Sequence, residues 1–411
     1  MNHTLNSSSP RNERFILLVL AGIQFTHILD FMIMMPLGPQ LLRALHINTN
    51  EFGLLLSSYT FTAAISGLLA AAYVDRFDRR RLVLTLYVLF ILATLCCGLA
   101  FNYGTLLVAR AMAGAFGGVL GALVQTMIAD LVPYERRAQA IGTVMAAFSV
   151  STVAGVPLGL FFANHIPALG WRAPFFFIVL LSCGFLFIGY RFLPSLTAHL
   201  GQERRGNVLQ QLVAVAVARE HLKAFFFLSL LMMTGFSVIP YIALYYTANV
   251  GMSENFITLV YLCGGTATFF SSRYIGRLAD RYGKPRVFRW VALSSFVPLL
   301  VMTHLPPVPW WAVLISGAAF FVLVSGRMIP GMAMAGAVSA PQVRGTFMSL
   351  SSSVQMLASG IASLVAGLII TRNAAGQIEH YDLVGYFAVA CGLASLWMAQ
   401  RLTVAQAAKQ V

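Results

Sequence analysis

Apolar runs of helix length recur from one end of the chain to the other, separated by short polar stretches. A helix of about 20 mostly apolar residues crosses the roughly 30 Å hydrocarbon core of a bilayer. Twelve stretches meet that requirement: 15–40, 52–74, 82–101, 103–130, 138–163, 172–193, 224–247, 256–275, 287–304, 310–336, 346–371 and 383–401. The longest polar segment, between Leu193 and Lys223, divides them six and six. The pattern predicts an all-α polytopic membrane protein with two six-helix bundles, over 1–193 and 224–411, joined by a linker over 194–223.

The first stretch, FILLVLAGIQFTHILDFMIMMPLGPQLL, lies between Arg14 and Arg43 and contains one formal charge, Asp30. A carboxylate near mid-membrane is costly unless it faces protein or a water-filled interior, so Asp30 is a functional candidate. His27 precedes it by three residues and shares its helical face. Pro36 and Pro39 follow, each removing a backbone donor and loosening the helix. A broken helix with titratable groups near its middle suits the binding and coupling site of a transporter.

Composition agrees with the pattern. The chain is 59% hydrophobic and 10% charged, with a mean hydropathy of +0.79. The polar segment Met1–Asn12 shows no cleavable signal pattern, so the first span is expected to remain in the protein. A net charge of +14 would ordinarily raise nucleic acid as a partner. Here the Lys and Arg concentrate in alternate loops, the positive-inside bias that predicts both termini in the cytoplasm and an inner-membrane location. The basic balance then reports orientation and contact with anionic lipid, not nucleic acid. The five cysteines lie in apolar runs without ligand spacing and read as packing residues, with neither a metal site nor a disulfide framework. Neither HExxH nor GxSxG occurs, and no cofactor motif stands out, so an enzyme is not expected.

The two halves repeat one another. AAYVDRFDRRR (Ala71–Arg81) and GRLADRYGKPR (Gly276–Arg286) occupy the same inner loop of each six-span unit. Pro36 in the first span matches Pro240 in the seventh; six residues before each stand Asp30 and Thr234. The architecture is duplicated and the titratable group is not, which assigns coupling to the amino-terminal half.

Taken together these residues resemble the major facilitator superfamily, and within it the proton-coupled efflux branch. The signature G-x-x-x-D-[RK]-x-G-[RK]-[RK] is met by Gly276, Asp280, Arg281, Gly283 and Lys284, with Pro285 in the final basic position. The first-half copy keeps Asp75, Arg76, Arg79 and Arg80, with Ala71 and Asp78 at its glycine positions. Arg110 to Gly114 is similar to the family's R-x-x-x-G motif. Gly155, Pro157 and Gly159 are similar to its antiporter motif, with Val156 set between Gly155 and Pro157. The resemblance implies alternating access by two rocking bundles, with Arg110 linked to a proton site at Asp30 and His27. It implies gating roles for Asp75, Arg76, Gly155, Pro157, Asp280 and Arg281. Gln24, Met34, Tyr59, Tyr241 and Tyr245 are candidates to line the substrate cavity, as adaptable Met and aromatic groups do. Arg327, the other intramembrane basic residue, is a candidate to hold an anionic substrate group.

The expected protein is thus a monomeric, cofactor-free carrier that exports a small molecule (a drug, sugar or metabolite) in exchange for protons. Two alternatives within transport stay open: import of a metabolite by proton symport or uniport, and export of a metal or metal chelate through His27 and Asp30.

Overall fold

The structure is a computed structural model that describes residues 10–74, 77–132, 134–197, 208–340 and 343–402. The first half contains α1 (Pro10–Ile33), α2 (Gly38–Leu45), α3 (Thr49–Tyr73), α4 (Arg79–Leu99) and α5 (Tyr103–Leu131). It closes with α6 (Tyr134–Val150), α7 (Val156–His165) and α8 (Ala173–Phe192). A short helix α9 (Val208–Val217) leads to α10 (Arg219–Phe236), α11 (Ile242–Ala248), α12 (Glu254–Tyr282) and α13 (Lys284–Thr303). Then come α14 (Trp310–Gly326), α15 (Met328–Gly336), α16 (Arg344–Ile369) and α17 (Tyr381–Ala399).

Among the described residues, 11 helical segments are long and apolar enough to cross a membrane. Helix α12, at 29 residues, supplies the twelfth crossing, its mean hydropathy lowered by Arg273, Arg277 and Arg281 near its end. An even number of crossings returns both ends of the chain to one face, called here the terminal face; the opposite face is the far face.

The expected breaks fall where the prolines stand. Helix α1 stops at Ile33, and a turn through Pro36 separates it from α2. In the second half the chain leaves α10 after Phe236, makes a 3₁₀ turn at Ile239–Tyr241 around Pro240, and resumes as α11. Two features were not predicted. The fifth span passes from α6 to α7 through a π-helical turn, Ser151–Gly155, and the connection between the last two spans carries a hairpin of β1 (Thr371–Arg372) and β2 (Ile378–Glu379). Asn249 clamps that hairpin, its side chain exchanging two 2.8 Å hydrogen bonds with the backbone of Ile378.

Small residues set how closely the helices pack, as expected where lipid gives helices no hydrophobic drive to associate. A Cβ added at Gly114 on α5 would lie 2.7 Å from the Cα of Tyr59 on α3. Between halves, a Cβ added at Gly265 on α12 would sit 2.9 Å from the carbonyl oxygen of Thr152, inside the π turn. Helix α3 runs against α16: Ser57 donates to the carbonyl of Gly360 at 2.8 Å, and Thr49 to that of Ile370 at 2.6 Å.

Candidate functional site

Asp30 sits one turn before the break in the first span, and Arg110 lies in the second turn of α5. Both side chains are fully buried, and Nη1 of Arg110 donates to Oδ2 of Asp30 at 2.8 Å. The same nitrogen lies 3.2 Å from the Asp30 carbonyl, and Thr94 of α4 donates to Oδ1 at 3.4 Å. The guanidinium carbon is 4.4 Å from the centre of the Tyr59 ring, a cation–π distance. Its Nε and Nη2 have no hydrogen-bond partner. A carboxylate held this way has two states: ionised, and neutralised by Arg110; or protonated, leaving the guanidinium without its anion.

The rest of the first-span polar face turns to a different partner. Nε2 of His27 lies 2.7 Å from the carbonyl of Gly117. A carbonyl only accepts, so Nε2 donates this bond, and in a neutral imidazole Nδ1 is then the bare nitrogen. His27 therefore does not bond Asp30, despite their spacing. Nδ1 of His27, Oε1 of Gln24 and the hydroxyl of Tyr59 are all buried without a partner. They gather where α5 has no side chains: a Cβ at Gly117 would be 2.7 Å from the Tyr59 hydroxyl, and one at Gly121 would be 4.0 Å from Nε2 of both Gln24 and His27. Met34 is buried in the break itself.

The structure does not bring Tyr241 and Tyr245 to this group. Tyr241 donates to the Ser363 carbonyl at 2.9 Å and lies 3.5 Å from that of Thr49, in the seam between halves near the far face. Tyr245 donates to Leu305 at 3.1 Å and packs on Tyr381, ring centres 4.8 Å apart. Arg327, at the one-residue interruption between α14 and α15, is fully buried, and all three of its guanidinium nitrogens lack a partner.

Of the residues expected to gate, Asp75 and Arg76 lie outside the described residues. Asp280 and Arg281 are exposed at the terminal-face end of α12, and neither forms an ion pair among the described residues. Gly155 closes the π turn against α1, where an added Cβ would meet Leu29 at 2.9 Å; Pro157 is buried in the first turn of α7.

Three arrangements escaped the sequence reading. Thr94 was the one polar residue in LFILATLCC, a signal that was there to use. On the far face Arg43 and Glu254 form an ion pair across the two halves. On the terminal face Asp78, where the signature has glycine, caps α4 through the Arg80 amide and also accepts from the Leu196 amide and the Ser195 hydroxyl. Partial burial alone would raise the Asp78 carboxyl, but those hydrogen bonds, with Arg81 nearby, outweigh it and hold it below the usual carboxylate range.

Twelve spans in two similar halves, with charge buried between helices, define a membrane carrier. The family model of the Major Facilitator Superfamily matches residues 20–225 and again 224–409, and the chain belongs to that family. It is a transporter and not an enzyme. Its fold is similar to that of the xylose transporter XylE from E. coli in an inward-open conformation, with a TM-score of 0.75 at 17% identity, covering 96% of this chain and 98% of that one. A bacterial homologue of the human lysosomal transporter Spinster matches at 0.68 and 14%, over 96% of each chain. The human organic anion transporter TETRAN matches at 0.68 and 18%, over 96% of this chain and 100% of that one.

Proposed function

We propose that this chain is a proton-coupled carrier that exports a small molecule by alternating access, with Asp30 as the proton acceptor. The observation that supports it most is the fully buried Asp30–Arg110 pair, placed between the first and fourth spans beside unpartnered polar groups. Such a pair is a switch: a proton arriving at Asp30 releases Arg110, and the helices carrying them lose their strongest mutual attraction. Gln24, His27 and Tyr59, each with one buried polar atom that lacks a partner in the same region, contribute substrate or water contacts. The two six-span bundles, 1–193 and 224–411, rock about this centre, while Gly155, Pro157 and the Asp-Arg loops at Asp75 and Asp280 govern closure. Alternating basic loops orient the terminal face toward the cytoplasm of an inner membrane. The contacts Arg43–Glu254, Thr49–Ile370 and Tyr241–Thr49 then bridge the two halves on the outer side.

The test is Asp30→Asn in proteoliposomes, with internal pH followed by a fluorescent dye. The amide keeps the shape and cannot titrate, so substrate-dependent proton movement should vanish while exchange of substrate for substrate continues. Unchanged, pH-driven transport by this variant would remove Asp30 from the mechanism. The sign of the proton flux decides between export by exchange and the symport that one structural relative's name, D-xylose–proton symporter, brings forward. Metal-chelate export gains nothing from the geometry, because His27 faces the Gly117 carbonyl and no metal-holding group of three His, Cys, Asp or Glu occurs among the described residues.

A further inference from the structure

The first half pairs its buried cation with an acid, and the second does not. Arg110 has a carboxylate from the first span at 2.8 Å. Arg327, on the tenth span, which is the fourth of its own half, has no hydrogen-bond partner on any of its three nitrogens although its side chain is fully buried. The position matched to Asp30 in that half is Thr234, whose hydroxyl is already donated to the carbonyl of Leu230 at 2.8 Å in its own helix. No acid has been supplied to Arg327 where the duplicated plan would place one.

A guanidinium cannot shed its charge in a protein, and an unpaired one in a dry interior is strongly unfavourable. Its flat fork of donors matches a carboxylate with two parallel hydrogen bonds. The chain on either side of it packs on apolar groups, Gly326 on Ile275 and Val291 and Gly331, one turn on, on Leu231, Phe288 and Phe227, while the Cys391 thiol lies within electrostatic reach of the guanidinium. Pro330 adds a local weakness in the span, since it gives no donor to the carbonyl four residues back. We infer that Arg327 is the anion-recognition residue of the carrier, and that its substrate is an amphipathic organic monoanion whose carboxylate completes the pair and whose apolar body lies among these side chains. This rests on the carrier reading above and assigns that carrier its substrate class. One guanidinium with no second cation at hand among the described residues fits a single negative charge, not a diphosphate or a dicarboxylate.

The experiment uses purified full-length protein in neutral detergent and follows its melting temperature. Indole-3-acetate, benzoate and hexanoate are compared with the corresponding amides and with hexylammonium. At least one carboxylate should raise the melting temperature by several degrees, the matching amide and the ammonium should not, and Arg327→Gln should abolish the response. Arg327→Lys should keep part of it. Arg327→Met without ligand should melt no lower than the parent, because it removes a charge that nothing satisfies. The melting response of the parent needs no proton movement, so a failed proton assay and a failed anion assay are separate results. The inference is overturned if none of the three carboxylates stabilises, if amides match them, if Arg327→Gln still responds, or if Arg327→Met melts well below the parent. It is equally overturned if micelles doped with phosphatidylglycerol reproduce the full effect, which would make a lipid headgroup the anion.

Discussion

Asp30 and Arg110 are 80 positions apart in the chain, and each was noticed in the sequence for the same reason: a charge inside an apolar run needs a partner. Composition could not say that they partner each other, since His27 was nearer to Asp30 in sequence and shares its face. The deciding fact is three-dimensional. The bare glycine surface of α5 admits His27 to the Gly117 carbonyl, leaving the carboxylate to Arg110 and Thr94. Because both charges are enclosed, their energies should be strongly coupled. Removing one partner of a buried pair typically costs about 3–5 kcal/mol, while replacing both is often neutral. Arg110→Gln should therefore melt well below the parent, and the double variant Asp30→Asn with Arg110→Gln should recover most of the loss. Simple addition of the two single losses in a thermal-melting cycle would show that the contact at 2.8 Å carries little energy.

At the level of elements, the chain announced its helices and its proline breaks, because apolar length and a missing donor act locally. It did not announce the π turn at Ser151–Gly155, which answers a tertiary demand: the backbone of α12 at Gly265 presses against Thr152 and Val153. Tyr241 and Tyr245 illustrate the same limit, since a tyrosine pattern tells that a face is buried but not whether a cavity or a carbonyl meets it. Asp78 is a third case. In the signature it stands in place of glycine, and the structure gives it a different task, capping α4 and holding the start of the linker at Ser195 and Leu196. Losing a side-chain cap costs about 0.5–2 kcal/mol, and Asp78→Ala should show a loss in that range near neutral pH. The carboxyl titrates lower when folded than when unfolded, so its contribution is fully present above the ordinary value of about 3.9 and fades as pH falls through the lowered one. The gap in melting temperature between parent and Asp78→Ala should be flat above about pH 5 and narrow below about pH 4. A gap independent of pH down to that range would leave Asp78 a neutral cap with no electrostatic part.

For the whole molecule the duplicated plan matters most where it is unequal. One half carries a buried acid and base together, and the other carries a base alone. If a proton enters on Asp30 while an organic anion leaves on Arg327, each cycle moves two elementary charges in the same electrical sense. At about 2.3 kcal/mol per charge per 100 mV, a potential of that size contributes about 4.6 kcal/mol to export. A symporter built on the same two residues would carry a proton and an anion inward together and move no net charge. The two cycles thus differ by more than their direction. In proteoliposomes with pH equal on both sides and the potential set by potassium and valinomycin, the steady-state gradient of a transported carboxylate should shift tenfold per about 30 mV for two charges. One charge gives tenfold per about 59 mV. A gradient indifferent to voltage would mean that proton and anion travel together, and export by exchange would be the wrong direction for this carrier.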